Sequence, residues 1–407
     1  MKYRRIKGTK DLLPADSPTW RWLVSVICQI LETYGYLEIR TPIFESTELF
    51  VRSIGETTDI VEKEMYTFTD RGRRSLTLRP EGTAPVMRAI LEDKIRIPTR
   101  LYYYGGMYRQ ERPQKGRLRE FFQIGIEYVG NPSPFADREV IEIGDRIVKR
   151  FGIKDVKLLV NSIGCPRCRS PYYGQLNTFL KKNFSSLCAD CQRRTAKNPM
   201  RFFDCKEEKC LGIRDHAPKI TEFLCPECNN HYQELKGYLE KSSIAYQESP
   251  GLARGLDYYT RTVFEFIAPD LGAQNAIIGG GRYDLLIELF GGRSTPAVGF
   301  ALGIERLHLL IKDRIEPKPS IFIIQIGGLY QEALSTQRTL QKKGEVVILG
   351  DPNMSLKKQL RQADRLNSRW AILIGSEELK KGKYILRDME SGEQRECSRE
   401  EIISHFS

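Results

Sequence analysis

The sequence predicts an α+β chain in which a domain of strands and helices is interrupted by a cysteine-rich helical insertion and followed by a small α/β domain. Residues 100–109 and 119–129 are rich in aromatic and branched side chains and flank a polar loop, as in a long antiparallel hairpin. Eight of the ten cysteines fall within 162–240, where strand patterns are scarce. In the last part of the chain, strand-like and helix-like segments alternate, which is typical of a βαβ domain with a largely parallel sheet.

The length of the chain agrees with several domains, and its composition and charge limit the kinds of protein that it can be. A chain of 407 residues predicts two or three domains, and 41% hydrophobic residues exclude a disordered chain. The excess of 64 Lys and Arg over 52 Asp and Glu leaves a net charge of +12. That charge favours an anionic partner, nucleic acid first, although a soluble surface rich in lysine explains it equally well.

No segment predicts a membrane association. The apolar stretch at 22–31 is far shorter than the roughly 20 residues that a span requires, and the N-terminus lacks the apolar core of a signal peptide. We therefore expect a cytosolic protein without a membrane partner. Thiols stay reduced in the cytosol, so paired cysteines there indicate a metal site before a disulfide.

The elements of the first part follow in chain order from apolar periodicity and from chain breakers. Trp22, Val26 and Ile30 share one stripe of the first predicted helix, which Gly35 ends. The predicted elements are a helix at 17–34, a strand at 37–42, the hairpin, a helix at 136–150, strands at 156–161, 260–267, 275–279 and 297–302, and helices at 283–290 and 303–312.

The segment 315–320, IEPKPS, predicts a linker because it contains two prolines and no apolar pattern. Beyond it the strand-like segments IFIIQI, EVVILG and WAILIG are separated by helical ones, and a short β pair follows. One of these helices, predicted for 354–369, carries a stripe of basic residues at i, i+4, i+8 and i+12, namely Lys357, Arg361, Arg365 and Arg369. Such a stripe fits a phosphate backbone, and a solvated helix face explains it equally well.

The second strand of the hairpin has two different faces. Phe122, Ile124, Ile126 and Tyr128 alternate on one face, as expected for a core. The opposite face carries Gln123 and Glu127 on either side of Gly125, together with Phe121. A glycine between two polar side chains can form the floor of a site for a small polar ligand, and a strand that faces water is an equally good explanation.

The hairpin loop is strongly basic. It carries one acidic residue, Glu111, and five basic ones, which are Arg109, Arg112, Lys115, Arg117 and Arg119. Guanidinium groups bind phosphate through two parallel hydrogen bonds, so a phosphate or an RNA end is a natural ligand. The alternative is a run of charges that meets only water.

Two further segments carry polar groups at strand ends. In GLARGLDYYTRTVFEF (251–266), Arg254, Asp257, Tyr258 and Tyr259 precede a strand and form a plausible polar site. In PAVGFALGIERL (296–307), Arg306 lies in the first turn of a helix, where a solvated arginine is the simpler interpretation. The sequence contains neither a GxxxxGK[ST] loop nor a GxGxxG turn after a strand, so a P-loop and a Rossmann dinucleotide site are unsupported.

The cysteines of the insertion form four closely spaced pairs, Cys165 with Cys168, Cys188 with Cys191, Cys205 with Cys210, and Cys225 with Cys228. Four such pairs suit two tetrahedral zinc sites of four thiolates each, and redox-active or buried thiols are the alternative. The pairs can combine sequentially, or the outer two and the inner two can meet. His231, and less plausibly His216, can replace one ligand. Such a zinc is expected to be structural.

Four motifs together resemble bacterial histidyl-tRNA synthetase, a class II aminoacyl-tRNA synthetase. RQERPQKGRLREFF (109–122) and GFALGIER (299–306) are similar to motifs of class II enzymes generally. RPEGT (79–83) and RGLDYYTRTVFE (254–265) are similar to motifs of the histidine enzyme. The likeness runs from KGTKDLLP at residue 7 to the C-terminus, apart from the middle insertion. The eight cysteines of that insertion depart from many members of the family.

The resemblance implies an architecture and an activity. It implies a class II catalytic domain, an antiparallel sheet flanked by helices, over 1–161 and 241–316, the insertion over 162–240, and an anticodon-binding domain over 319–407. It further implies a homodimer with Pro42 at its interface, and ATP bound with Mg²⁺. The implied reaction joins L-histidine to ATP as histidyl-adenylate with release of pyrophosphate, and then transfers the histidyl group to the 3′ end of tRNA(His).

The resemblance also implies residue roles. For histidine binding these residues are Glu81, Gly82, Thr83, Gln123, Glu127, Tyr258 and Tyr259. For ATP binding they are Arg109, Arg117, Arg254 and Arg306, and for catalysis Arg109, Gln123 and Arg254. Arg112 and Gln114 are implied to meet the acceptor end of the tRNA. Glu127 and Tyr259 would read the imidazole nitrogens, because a buried polar site rejects amino acids that leave its groups unpaired.

Two other classes of protein compete with an enzyme of this kind. A regulatory paralogue of histidine biosynthesis shares the catalytic fold but generally lacks the anticodon domain and has eroded motifs, whereas Arg109, Gln123, Arg254 and Arg306 are present here. A zinc-dependent nucleic-acid-binding protein without catalysis explains the charge and the cysteines. It leaves Glu81, Glu127 and Tyr259 without a purpose.

Overall fold

The computed structural model describes residues 3–56, 58–114, 116–196, 198–203, 205, 207–311 and 315–406. Lys115 of the basic loop and Lys312, the predicted end of a helix, lie outside this range. The chain divides into two compact units, Met1–Arg314 and Ile315–Ser407, so the boundary falls at the start of the predicted linker. Among the described residues, no helix combines the length and the apolar character that crossing a membrane requires.

The first unit is built around a mixed sheet. Its strands are β1 (Leu37–Glu38), β2 (Phe44–Ser46), β3 (Tyr66–Thr69), β4 (Ser75–Leu78), β5 (Thr99–Tyr108), β6 (Glu120–Val129), β7 (Lys157–Ser162), β8 (Gln247–Glu248), β9 (Thr260–Ile267), β10 (Ala276–Arg282) and β11 (Ala297–Gly303). Eight of these described strands pair in the order β1-β5-β6-β11-β10-β9-β7-β8, antiparallel except at the two ends. The strands β2, β4 and β3 form a separate small antiparallel sheet.

Helices cover this sheet. They are α1 (Ser17–Thr33), α2 (Thr47–Ile54), α3 (Thr83–Glu92), α4 (Pro134–Arg150), α5 (Pro166–Lys182), α6 (Ala189–Thr195), α7 (Glu208–Arg214), α8 (Pro226–Lys241), α9 (Leu286–Leu289) and α10 (Ile304–Leu310). Short 3₁₀ turns lie at Phe184–Ser186, Pro199–Phe202, Ile220–Phe223 and Pro269–Gln274, and a π turn at Ile60–Glu64. Together with the sheet, these helices confirm the predicted α+β class.

The predicted hairpin is confirmed, and its two strands are the second and third of the eight described strands in the large sheet. Strands β5 and β6 pair from Thr99 opposite Val129 to Tyr108 opposite Glu120. The strand predicted for 37–42 is shorter than expected and ends at Glu38. Proline has no N–H to donate to a ladder. Instead, the guanidinium of Arg79 binds the carbonyl oxygen of Thr41 at 2.9 Å, so this segment leaves the sheet.

The two faces of β6 are separated as their alternation predicts. Ile124, Ile126 and Tyr128 are buried in one core, which also contains the apolar sides of α1, α4 and α8. Glu127, on the opposite face, is only 1% exposed and lies among residues of a second buried cluster. From Ile124 to Val129 neither face of this strand meets water, so contact with solvent does not explain why the polar Glu127 lies there.

The cysteine-rich stretch is helical, as expected. Helices α5 to α8 and three of the 3₁₀ turns lie between β7 and β8. Side chains of the stretch, among them Tyr172, Leu176 and Phe202, share the second buried cluster with Tyr258 and Tyr259 of the sheet domain. The stretch is therefore packed directly against the part of the sheet domain that carries candidate site residues.

The second unit has the predicted alternating pattern. Its strands are β12 (Ser320–Gln325), β13 (Val346–Leu349), β14 (Trp370–Ile374), β15 (Tyr384–Asp388) and β16 (Gln394–Cys397). Its helices are α11 (Tyr330–Lys342), α12 (Leu356–Arg365), α13 (Ser376–Lys380) and α14 (Arg399–His405). The strand order is β13-β12-β14-β15-β16, parallel among the first three and antiparallel at β15 and β16.

One prediction in this unit was wrong. The helix predicted for 354–369 ends at Arg365, so Arg369 does not extend its basic stripe. The backbone N–H of Arg369 donates to the carbonyl of Ser320 at 2.9 Å, and its guanidinium binds Asp388 at 2.7 Å. Arg369 is therefore held next to β14 and not in the helix. The exposed basic stripe of α12 consists of Lys357, Arg361 and Arg365.

Candidate active site

A group of polar and aromatic side chains, which we call the pocket, lies buried on the face of the sheet opposite α1 and α4. At its base is the Glu127 carboxylate, which accepts a hydrogen bond from the hydroxyl of Tyr283. The aromatic rings of Tyr258 and Tyr259 lie close together, with centroids 4.7 Å apart, and Tyr258 also packs edge-on against Tyr283. Burial of a carboxyl group among such rings disfavours its charge, and it raises the pKa of Glu127 to about 8.

Several polar atoms in this pocket lack a partner among the described residues. They are Oε1 of Gln123, Oε1 of Glu127 and the hydroxyl of Tyr103. Because buried polar groups nearly always have hydrogen-bond partners, unpartnered acceptors and donors that converge on one face of a sheet indicate a place for a polar ligand. The atoms lie on neighbouring strands, because Tyr103 is paired with Gly125 between Gln123 and Glu127.

The space above Gly125 is not open, contrary to our expectation. The phenol of Tyr103 lies over it, so that a Cβ at this position would come within 2.2 Å of the Tyr103 hydroxyl. The glycine therefore admits an aromatic side chain from the neighbouring strand. In turn, that side chain brings its hydroxyl to the polar floor between Gln123 and Glu127.

Glu81, Gly82 and Thr83 begin helix α3 at the edge of the pocket. The two carboxylate oxygens of Glu81 accept hydrogen bonds from the backbone N–H groups of Thr83 at 2.7 Å and Ala84 at 2.8 Å. These are first-turn N–H groups that the helix itself cannot satisfy. Glu81 is 4% exposed, and burial raises the pKa of its carboxyl group despite the two hydrogen bonds. Each oxygen keeps a further lone pair for a cationic ligand.

Arg254 lies at the side of the pocket. Its guanidinium forms an ion pair with Glu265 of β9 and lies over the ring of Tyr259, 5.7 Å from the ring centroid. Burial alone would lower the pKa of Arg254, but the Glu265 carboxylate more than offsets this effect and raises that pKa. Gly279 of β10 leaves the necessary space, because a Cβ there would come within 2.4 Å of the guanidinium. Arg254 thus remains a cation.

Three arginines form a basic cluster beside Arg254. Arg109 and Arg117 share one carboxylate, Glu111, at 3.5 Å and 2.9 Å. Arg306 donates to the backbone carbonyls of Gly116 at 3.1 Å and Ala276 at 2.6 Å, which are neutral acceptors. Burial and the nearby charge of Arg117 lower the pKa of Arg306. A cluster with more cations than anions is stabilised by an anionic ligand such as a polyphosphate.

The basic cluster opens into a cleft of about 1130 Å³ between the sheet and the cysteine-rich stretch. Arg109, Arg117 and Glu265 line it from the sheet side, and Arg201 and Arg214 from the opposite side. Arg112 and Gln114 lie in the hairpin loop and are exposed. The arrangement therefore combines a buried pocket for a small polar ligand, a basic cluster and an exposed basic loop on one side of the sheet.

The cysteines form two four-cysteine groups. Cys165, Cys168, Cys225 and Cys228 make the outer group, and Cys188, Cys191, Cys205 and Cys210 make the inner one. In each group the sulfur atoms lie within 4.8 Å of one another. The outer two pairs meet and the inner two pairs meet, so the tertiary structure decides between the two combinations that the spacing left open.

The sulfur geometry fits a tetrahedral metal ion. The Sγ atoms of Cys165 and Cys168 are 3.7 Å apart, and those of Cys188 and Cys205 are 3.8 Å apart. A tetrahedron with Zn–S bonds of about 2.3 Å has edges of about 3.8 Å. Bonded disulfide sulfurs are only about 2.05 Å apart, so these are not disulfides. Backbone N–H groups also donate to sulfur, for example from Cys225 to Cys168 at 3.1 Å, as suits thiolate ligands.

The two histidines do not belong to these groups. His231 is 5% exposed, and its Nε2 lies 3.3 Å from the carboxylate of Asp137 in α4. The other ring nitrogen faces Arg261 at 3.4 Å. His216 is exposed. The suggestion that either replaces a cysteine ligand is therefore wrong, because each group already has four thiols. His231 instead connects α8 to the buried ion pair of Asp137 and Arg282.

Three residues of the site escaped the sequence analysis. Tyr103 and Tyr283 line the pocket, and Glu265 pairs with Arg254. Tyr103 stands opposite Gly125 in the hairpin register, so pairing the two strands would have found it. Glu265 falls in the quoted motif, within a predicted strand. For Tyr283 the sequence offers no signal, since its contact with Glu127 joins residues 156 positions apart.

Comparisons with known proteins agree with this architecture. A family model described as "Histidyl-tRNA synthetase" matches residues 8–167 and 200–307, and one described as "Anticodon binding domain" matches 320–407. A curated relative from Desulforamulus reducens, named "Histidine--tRNA ligase", is 46% identical over 98% of this chain and 97% of its own length. One of the same name from Thermotoga maritima is 48% identical over 98% and 97%. The crystal structure of apo S. aureus histidyl-tRNA synthetase has a TM-score of 0.80 at 37% identity and 99% coverage of both chains.

Proposed function

The chain belongs to the histidyl-tRNA synthetase family and is an ATP-dependent histidine–tRNA ligase, and from this premise we propose how its residues divide the reaction. The pocket around Glu127 binds L-histidine, and the basic cluster binds the phosphates of MgATP. The observation that carries this assignment is the adjacency of the two on one face of the sheet. Arg254 lies between them, beside the Tyr259 ring.

Histidine recognition follows from the pocket's unpartnered atoms. Glu127 and Tyr259 meet the imidazole nitrogens, Gln123 holds the carboxylate end, and Tyr258 lines the pocket. Glu81 and Thr83, with Gly82 between them at the start of α3, meet the α-ammonium group. An amino acid without an imidazole leaves the buried Glu127 oxygen unpaired, which penalises its binding.

The first step is adenylation. A carboxylate oxygen of histidine attacks the α-phosphorus of ATP, a new P–O bond forms in line with the breaking one, and pyrophosphate leaves. Negative charge builds on the non-bridging oxygens of the α-phosphate, and Arg109 and Arg254 stabilise it from fixed positions. Arg306 and Arg117 hold the terminal phosphates. Backbone carbonyls and Glu111 already orient these two arginines, so little reorganisation is needed.

The second step transfers the histidyl group. A hydroxyl of the terminal ribose of tRNA(His) attacks the adenylate's carbonyl carbon, an ester bond forms, and AMP leaves. Arg112 and Gln114, exposed on the hairpin loop, contact the acceptor end. The 320–407 region binds the anticodon, and the exposed stripe of Lys357, Arg361 and Arg365 is a candidate for backbone contacts.

The decisive experiment is ATP–pyrophosphate exchange with each amino acid in turn. We expect exchange with histidine alone, and a loss of at least a hundredfold in Arg254→Ala because a fixed cation at the developing charge is removed. A folded sample without exchange would contradict the assignment. It would favour a regulatory paralogue over an active enzyme.

We further propose that each four-cysteine group binds a structural Zn²⁺. Support comes from the sulfur separations of 3.7 to 3.9 Å and from the backbone N–H groups that donate to sulfur. When bound, zinc cross-links segments that are distant in sequence and so orders the insertion. Elemental analysis of the purified chain should find two zinc equivalents. Zero equivalents in a folded, reduced sample would overturn the proposal.

Finally, we propose that the enzyme is a homodimer. Ile43 and Phe44, which follow Pro42, are 49% and 54% exposed, and Leu37 is 66% exposed. Ile43 and Phe44 are adjacent in sequence, and neighbouring large apolar side chains that stay exposed are typical of a subunit interface. Light scattering should give twice the chain mass of 46.9 kDa, and Phe44→Glu should shift it towards the monomer. The cytosolic location stays a prediction.

A further inference from the structure

The segment Asp257–Tyr259 of the histidine pocket is held from outside by the cysteine-rich stretch. Two arginines of that stretch reach it, one from beside each four-cysteine group. Arg201 lies between Cys191 and Cys205 of the inner group, and Arg169 directly follows Cys168 of the outer group. Neither arginine belongs to the basic cluster described above.

Arg201 contacts the start of the segment. It is 7% exposed, and its guanidinium forms an ion pair with the Asp257 carboxylate. The side-chain amide of Asn198, in the same turn, donates to the same oxygen at 3.3 Å. From the sheet domain, the Asp257 N–H donates to the carbonyl of Ile54 at 3.0 Å. Asp257 is therefore held between the inner cysteine region and the end of α2.

Arg169 contacts the end of the segment. Its Nη2 donates to the backbone carbonyl of Tyr259, and its Nε donates to the carbonyl of Ile163 at 3.3 Å. Backbone hydrogen bonds continue this connection, from Ile163 to Arg261 at 2.7 Å and from Arg261 to Gly164 at 2.8 Å. Gly164 precedes Cys165 of the outer group. The turn that presents Tyr259 is thus joined to the outer cysteine region.

We propose that Arg169 and Arg201 are positioning residues for histidine selection, which hold the Asp257–Tyr259 segment so that both tyrosine rings stay in the pocket. This inference rests on the proposed role of the pocket. The rings of Tyr258 and Tyr259 pack on each other and on Tyr283, and Arg254 lies over the Tyr259 ring. A small rotation of the segment would therefore displace both rings from the imidazole. The basic cluster that binds ATP phosphates would be unaffected.

The test compares Arg169→Gln and Arg201→Gln in ATP–pyrophosphate exchange. We expect the KM for histidine to rise about tenfold in each variant, because each loses one charge-assisted hydrogen bond. The KM for ATP and kcat should stay within about twofold. Histidine binding measured by calorimetry should weaken by the same factor. Arg193→Gln is the matched control, because Arg193 pairs at the surface with Asp190 of the same helix and should leave every parameter unchanged.

Two further variants separate positioning from general damage. Asp257→Asn removes the same ion pair from its other side, at a side chain that is 35% exposed. The double variant with Arg201→Gln should therefore raise the histidine KM little more than either single change. Arg201→Lys should restore most of the histidine affinity, since a cation again faces Asp257. A histidine KM unchanged in both Gln variants would overturn the inference. So would a parallel rise of the KM for ATP.

Glu127→Gln distinguishes this inference from the proposed function. If Glu127→Gln raises the histidine KM and the arginine variants do not, the pocket assignment stands and the positioning role is refuted. If Glu127→Gln leaves the histidine KM unchanged, the pocket assignment itself is wrong, and the positioning role fails with it.

Discussion

Glu127→Gln tests the central assignment of the pocket. The buried Glu127 carboxyl group is proposed to select histidine, and its burial makes its ionisation unfavourable. When an imidazole nitrogen donates to Glu127, that hydrogen bond favours the ionised carboxylate, and glutamine replaces this charged acceptor by a neutral group of similar size. Hydrogen bonds to charged groups contribute roughly 1.5–3 kcal/mol, which corresponds to roughly a ten- to hundredfold rise in the KM for histidine. The KM for ATP should stay within about twofold, since the arginine cluster is untouched.

The same substitution should change how stability depends on pH. Burial raises the pKa of Glu127 from 4.5 to about 8. Between these two values the folded state keeps the proton and the unfolded state loses it, so the free energy of unfolding falls as pH rises. At about 1.4 kcal/mol per pH unit, this amounts to roughly 5 kcal/mol over the interval. Glutamine cannot ionise, so the variant lacks this loss.

Urea unfolding of the ligand-free proteins at pH 5, 6.5 and 8 measures the effect. The stability of Glu127→Gln relative to wild type should increase by about 2 kcal/mol in each of the two intervals. Glu234→Gln, at an exposed position of α8, is the matched control and should follow wild type throughout. The account of this carboxyl group would be refuted if the free energies of unfolding of wild type and Glu127→Gln changed in parallel with pH. It would also be refuted if the variant became less stable relative to wild type as pH rises.

Three other changes follow from the structure. Arg282→Met should destabilise the protein by about 3–5 kcal/mol in urea unfolding at pH 7, because Asp137 is completely buried and would lose its guanidinium partner; a cost below about 1 kcal/mol would contradict this. Arg306→Ala should raise the KM for ATP at least tenfold with little effect on the KM for histidine, as measured by pyrophosphate exchange; equal effects on both would contradict the phosphate role. Cys188→Ser should lower the zinc content from two equivalents to one, whereas Cys28→Ser, outside both four-cysteine groups, should keep two; unchanged zinc in Cys188→Ser would contradict the inner site.

Local pattern was sufficient for the hairpin and for its two faces. In a strand, neighbouring side chains point to opposite faces, so the alternation in 121–128 separated the core residues Ile124 and Ile126 from the polar pair Gln123 and Glu127. Helix α1 and strand β9 were found in the same way, each within a residue of its observed bounds. These features depend on contacts between residues near each other in sequence. A single strand or helix contains the information.

Other features depend on contacts between distant segments, and only the tertiary structure decided them. The spacing of the cysteines allowed two combinations, and the fold brings the N-terminal ends of α5 and α8 together, so that Cys165 and Cys168 meet Cys225 and Cys228. The chain alone made His231 a possible ligand, whereas the fold places it on Asp137 of another helix.

The sequence by itself determined the class of fold, the polar face of β6, the basic loop and the presence of eight cysteines in closely spaced pairs. Each of these follows from the pattern of residues within short segments. Only the tertiary structure decided which thiols meet and that Tyr283 binds Glu127. It also decided that Arg169 and Arg201 reach the Asp257–Tyr259 segment. The physical reason is that a hydrogen bond or ion pair depends on distance in space, and the folded chain brings together groups that lie 56 to 156 positions apart in sequence.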